Sequence, residues 1–186
     1  MEGVIQKLLK ENGASDFDEN TITVSATGVE AAPSDDERSP ETYVGYRQAQ
    51  RFASLEKVAR DSRKTYTPPP TFSLNQWGLG ESWSIGPEAA VLQAAPGKVV
   101  FRFHSRDLNL IMAPTSDGKP VRFKVTLDGA VPGNNNGVDT GADGSGEVRE
   151  PRMYQLIRQE NVPIKDRTFA IEFLDPGAQV LDFTFG

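Results

Sequence analysis

VVFRFHSRDLNLIMAPTSDGKPVRFKVTLDG, residues 99–129, alternates apolar and polar side chains along three short rows. In the last row Val121, Phe123, Val125 and Leu127 interleave with Arg122, Lys124 and Thr126. A period of two puts the apolar set on one face of a strand and the polar set on the other. Val99, Phe101 and Phe103 form a second row, and Leu108, Leu110 and Met112 a third. Asp117-Gly118 lies between the last two rows, and such a pair suits a tight or bulged turn. The spacing therefore predicts a β-hairpin over residues 107–127 with one apolar face. A lone hairpin cannot bury such a face, so a second sheet is expected to cover it.

The same pattern recurs outward from this stretch. Strands are expected at 72–77, 81–85, 89–93, 98–104, 108–112, 120–127, 146–149, 153–158, 168–174 and 179–185. Asp175-Pro176-Gly177 is a tight turn between the final two. Residues 42–52, TYVGYRQAQRF, fit a strand or a short helix equally well. Lys57–Pro70 is basic and then Pro-rich, and reads as a loop. Many short strands without interleaved helices predict an all-β fold: a two-sheet antiparallel β-sandwich of jelly-roll type. The beginning of the chain differs. Val4, Ile5, Leu8 and Leu9 recur at helical spacing before Gly13, which predicts an amphipathic helix within residues 1–15. Thr21–Ser25 could be a short strand. Residues 16–42 read as a linker, mostly disordered, because from Gly28 onward they lack apolar side chains to bury. The folded module is then 43–186.

Composition narrows the function. A net charge of −6, with no basic stripe, argues against a nucleic-acid partner. The absence of cysteine removes thiol–disulfide chemistry and thiolate-bound zinc from this chain. No window approaches the run of about 20 apolar residues that a membrane helix needs, and no signal-peptide pattern is present.

The segments PETYVGYRQAQRFAS, LNQWGLGESWSIGPEAAVL, FRFHSRDLNLIM, GKPVRFKVTLDG, PRMYQLIRQ and FLDPGAQVLDFTFG, taken in order from Pro40 to the end, resemble the C-terminal domain of DipZ-type thioredoxin-family proteins. In that family a thioredoxin domain precedes a β-sandwich similar to a carbohydrate-binding module, and some members carry an upstream membrane part. Residues 2–12 also resemble the closing helix of a thioredoxin domain. The resemblance implies a piece of a longer bacterial oxidoreductase, acting outside the cytoplasm or at the cell envelope. The Cys-x-x-Cys unit of the family is missing, so no redox role passes to any residue here.

Several residues are candidates for binding. Trp77 and Trp83 flank an expected turn at Gly78–Gly80 and could offer stacking faces to a sugar. Trp83 is in phase with Ile85, which also suits the core. His104, the only histidine, lies near Arg102 and Arg106 at a strand end, where the three could hydrogen-bond ligand hydroxyls. The plainer reading is a hydrogen-bonded His on a solvated face. Tyr154 sits between Arg152 and Arg158 with its hydroxyl expected at the rim. Asp139 and Asp143, in a glycine-rich loop, could hold Ca²⁺ or could simply cap backbone amides; no other cofactor is expected. Two functions follow. One is a non-catalytic module that binds a glycan or a glycan-bearing partner beside the thioredoxin domain of the parent protein. The other is a structural domain that packs on that domain or mediates oligomers without binding sugar. A glycosidase would need two placed carboxylates that the sequence does not single out.

Overall fold

The structure, a computed structural model, describes residues 36–160 and 163–186. The expected N-terminal helix, the strand at 21–25 and the linker as far as residue 35 lie outside the described residues. The chain divides into two units, Met1–Ala31 and Ala32–Gly186, and every described residue belongs to the second.

That unit is all-β. Eleven strands follow one another: β1 (Thr42–Tyr43), β2 (Arg63–Tyr66), β3 (Trp77–Ile85), β4 (Ala90–Leu92), β5 (Gly97–Phe103), β6 (Asp107–Ala113), β7 (Val121–Leu127), β8 (Ser145–Val148), β9 (Arg152–Arg158), β10 (Arg167–Phe173) and β11 (Gln179–Phe185). Among the described residues the only helical element is one 3-10 turn, Gly133–Asn135. The strands join in a single curled sheet, ordered β8-β7-β10-β5-β3-β4-β11-β6-β9, with β1 beside β11 and β2 beside β3. Every ladder between these strands is antiparallel.

The curl turns on β3. Trp77–Gly80 pairs with β5, whereas Glu81–Ile85 pairs with β2 and β4. Glu81, at the change of partner, has a φ of 72°. A left-handed residue inside a strand bends it, as a bulge does. One limb is thus β8-β7-β10-β5, the other β4-β11-β6-β9, and their apolar faces meet. Phe101 contacts Phe183 and Phe185 at centroid distances of 4.8 and 5.4 Å, and Trp83 meets Phe173 at 5.9 Å. Along β7 the apolar residues Val121, Phe123, Val125 and Leu127 are buried while Arg122 and Lys124 are exposed, as the period of two requires.

Four local expectations are corrected. Residues 107–127 are not a hairpin: β6 pairs with β11 and β9, whereas β7 pairs with β10 and β8. The Asp117-Gly118 turn carries the chain across the core, so the two apolar faces oppose each other instead of lying side by side. The turn at 175–177 likewise links strands of opposite limbs. Residues 63–66, assigned to a loop, form β2, because the otherwise open side of the second half of β3 accepts a four-residue ladder there. Residues 72–76 are irregular, and Gly78–Gly80 lies inside β3 rather than in a turn.

Candidate functional site

Residues 40–51 leave the sheet early and build a broad concavity. Thr42 and Tyr43 pair with Phe183 and Asp182 of β11, and the Val44 N–H still donates to the Leu181 carbonyl at 2.8 Å. At Gly45 the chain presses against the 86–88 turn. A Cβ there would lie 2.3 Å from the Glu88 backbone, so the position admits only glycine without a shift. Tyr46 and Arg47 then donate to the carbonyls of Gly86 and Pro87, at 3.0 and 3.2 Å. Two adjoining cavities result, sharing Tyr43 and Gln48 as walls. The larger, about 460 Å³, is bordered by Glu41, Arg47 and Arg51; the smaller, about 240 Å³, by Pro87, Glu88, Leu181 and Asp182.

The electrostatics of this groove centre on a pair of acids. Asp182 is an acid in β11, yet it is only 6% exposed. Burial first, and then the facing Glu41 carboxyl, push the Asp182 acid up to about 6. The same Glu41 carboxyl raises the Tyr43 hydroxyl above the ordinary tyrosine range. Arg47 pairs with Glu88 at 3.0 Å on the rim, where both side chains are well exposed. Such an arrangement can hold a proton between two carboxyls.

A second polar cluster surrounds His104. This residue is buried, not on a solvated face as expected. Its Nδ1 lies 2.6 Å from Asp166 Oδ1, and its Nε2 lies 3.3 Å from Asp36 Oδ2. Arg102 reaches the other Asp166 oxygen at 3.5 Å. The His104 N–H donates to Ser39 Oγ at 2.8 Å, and Ser39 in turn donates to Asn75 Oδ1 at 2.7 Å. The His104 and Arg38 contacts hold the Asp36 carboxyl below the usual carboxylate range. Residues 36–39, within the expected linker, are thereby fastened to the end of β5. Arg106 does not join this cluster. It lies against Asp107, which also pairs with Arg158 across the β6–β9 ladder at 2.7 Å.

The remaining sequence candidates serve the fold. Trp77 and Trp83 have no exposed surface, and their indole N–H groups donate to the Gln50 and Gly80 carbonyls at 2.8 and 2.7 Å. Neither ring offers a stacking face, because both apolar surfaces are spent in the core. Tyr154 is buried too. Its hydroxyl accepts from the Arg149 and Glu150 N–H groups and donates to the Glu150 carbonyl, which fixes the β8–β9 turn. Arg152 stacks over its ring at 3.8 Å and grips both oxygens of Asp139. Asp143 accepts from the Ser145 N–H and Oγ, and the Ser145 contacts hold it down to about 2. The two carboxylates are thus engaged separately and do not converge, and no group of three or more metal-ligating side chains is present among the described residues.

Glu41, Tyr43 and Asp182 escaped the sequence reading. The one signal was an acid within the mostly apolar run VLDFTF. Its partner lies 141 positions away in the chain, at the other end of the module, so no local pattern connects the two.

A family model described as thioredoxin like C-terminal domain matches residues 39–186. Comparison with curated proteins finds no match.

Proposed function

This chain belongs to the thioredoxin-like C-terminal domain family, and from that premise we propose that it is a non-catalytic accessory module working beside a thioredoxin-type thiol–disulfide oxidoreductase domain. The observation that carries the reading is the family match over a region without any cysteine. A chain with no thiol donates no electrons to a disulfide. Its contribution is packing and recognition: positioning the redox domain, shaping access to its cysteines or joining copies together. We read the curled sheet as a two-layer jelly roll, a frame whose rigid aromatic core suits it to hold a surface in fixed geometry. Sugar binding has lost its main support, since Trp77 and Trp83 give their faces to the core. The interaction reading therefore takes precedence over the glycan reading.

The test is direct. The isotope-labelled chain is titrated with a reduced thioredoxin-fold domain from a protein in which the two occur together. Saturable shifts confined to one face, with no insulin reduction by the chain alone, are the expected result. Unchanged spectra at about 1 mM partner, the weak end of specific association, would remove the interaction reading. Saturable shifts with oligosaccharides instead would restore the glycan reading.

A further inference from the structure

We propose that His104 is a proton-operated latch on residues 36–39. With both ring nitrogens protonated it holds Asp36; with a single proton it lets Asp36 go, while Arg38 and Ser39 stay fixed as the hinge. This goes beyond the accessory role and does not depend on it.

The ring meets a carboxylate oxygen at each end. Nδ1 lies 2.6 Å from Asp166 Oδ1, and Nε2 lies 3.3 Å from Asp36 Oδ2. A neutral imidazole owns one N–H. At 2.6 Å that proton has to lie between Nδ1 and Asp166, since two bare acceptors repel at such a distance. Nε2 is then a lone pair turned toward a second carboxylate. It is buried and makes no hydrogen bond, a costly condition for a polar atom in a protein interior. A second proton removes the conflict. Nε2 becomes a donor, and Asp36, by closing a few tenths of an ångström, becomes its charge-assisted acceptor.

The charges around the ring leave both states open. Asp36 carries Arg38, whose Nη2 donates to Oδ1 at 2.8 Å. Asp166, on the approach to β10, carries Arg102 of β5 on its other oxygen at 3.5 Å. Two carboxylates thus meet two guanidinium groups whether or not the ring is charged. Glu37 and Lys165, the chain neighbours of the two acids, are exposed. Arg106 is turned to Asp107, and Gly186 at the end of β11 is taken up by Ser105 Oγ at 2.8 Å. Gln159, beyond β9, is neutral and meets the Ser105 and Lys165 carbonyls.

The hinge is built without a titrating group. The Arg38 N–H donates to the His104 carbonyl at 3.0 Å, and the His104 N–H to Ser39 Oγ at 2.8 Å. Ser39 Oγ donates to Asn75 Oδ1 at 2.7 Å, and Asn75 Nδ2 to the Arg38 carbonyl at 2.9 Å. These bonds persist in both states of the ring, so release stops at Arg38. With the charged ring the fastened stretch begins at Asp36; with the neutral ring it begins at Arg38.

The test uses the whole chain labelled with ¹⁵N. His104 is the only histidine, so its ring nitrogens are read without ambiguity. They are followed from about pH 5 to 9, a range that spans the window in which imidazoles ordinarily change charge. Amide shifts and heteronuclear NOEs are recorded in parallel at Asp36, Glu37, Ser39 and Asn75. As the ring loses its second proton, the ratio of held to released Asp36 should fall about tenfold or more, the low end of what a hydrogen bond to a charged group contributes. The NOEs at Asp36 and Glu37 should fall with the same midpoint as the ring, and those at Ser39 and Asn75 should not change. Asp36→Asn, at a half-exposed position, should remove this response at residue 37 with the fold intact. Four results would overturn the latch: a ring that keeps one protonation state across the range, NOEs at Asp36 and Glu37 that ignore its titration, release of Ser39 and Asn75 together with Asp36, or an undiminished response in Asp36→Asn.

Discussion

Phe101 of β5 and Phe183 of β11 lie with their rings 4.8 Å apart, inclined at 47°. The two strands share no hydrogen bond. They belong to opposite limbs of the sheet, and this contact is one of the points at which the limbs close on each other. Phe183 also meets Phe169 edge-on at 6.2 Å, so a single side chain bridges to two strands of the facing limb.

Phe183→Ala is therefore expected to cost about 3–5 kcal/mol, from lost transfer energy and the cavity left between the limbs. Phe123→Ala, equally buried, should cost a similar amount, and Lys124→Ala on the opposite face of β7 less than about 0.5 kcal/mol. Urea midpoints at constant slope check this. Comparable losses at Phe123 and Lys124 would mean that the register of β7 is inverted.

Gly146→Ala tests how closely β8 approaches its neighbour. A Cβ at this position would lie 2.1 Å from Cζ of Phe123 and 2.8 Å from the Asp139 carbonyl oxygen. The ring is itself held in the core, so the strand has to shift, at a cost of about 1–3 kcal/mol. Thermal unfolding of the variant should start at a lower temperature. An unchanged melting curve would show that Phe123 does not lie against β8.

Tyr154→Phe removes one oxygen and leaves the ring. The hydroxyl serves the N–H groups of Arg149 and Glu150 and the Glu150 carbonyl, at 3.0, 3.2 and 2.8 Å. Loss of these bonds from a turn that otherwise keeps its shape is expected to cost about 1–3 kcal/mol. Hydrogen exchange at the Arg149 and Glu150 amides should accelerate in the variant. Unaltered exchange there would assign the turn to other contacts.

Asp182 makes stability depend on pH in a particular direction. Its folded value, about 6, lies above the ordinary carboxylate value of 3.8 that it takes when unfolded. Between these values the folded chain holds the extra proton, so stability falls as pH rises from about 4 to about 6 and is then level. Its neutral carboxyl is fully favourable below that window. After allowance for screening at the mouth of the groove, the change is on the order of 1 kcal/mol. Asp175, held down to about 2 chiefly by Arg122, acts in the opposite sense and loses its contribution as pH falls from about 4 to 2. Subtracting the pH profile of Asp182→Asn from that of the wild type isolates the first effect. A flat difference between pH 4 and 6.5 would mean that Asp182 is not buried against Glu41.

By itself the sequence determined that this module is all-β and where most strands lie. The apolar alternation in β7 and the run Gln179–Phe185 of β11 follow from the two-residue period of a strand, a local property of consecutive side chains. It also identified Val121, Phe123 and Leu127 as core residues, because an apolar residue in phase with its neighbours has only one buried face to occupy. Tertiary structure alone decided which strands pair. A strand with one apolar face is satisfied equally by a neighbour that extends its sheet and by a strand opposite it, so the alternation in β6 and β7 fits a hairpin as well as the crossing that is observed. The same ambiguity misplaced Trp77. Glycines beside it suggested a turn and an exposed ring, but in β3 they are strand residues and the ring is enclosed. The pairing of Glu41 with Asp182 was likewise beyond local pattern, since it exists only where β1 lies down beside β11, and the physical signature of the groove, a buried acid facing another acid, arises from that approach and not from either segment.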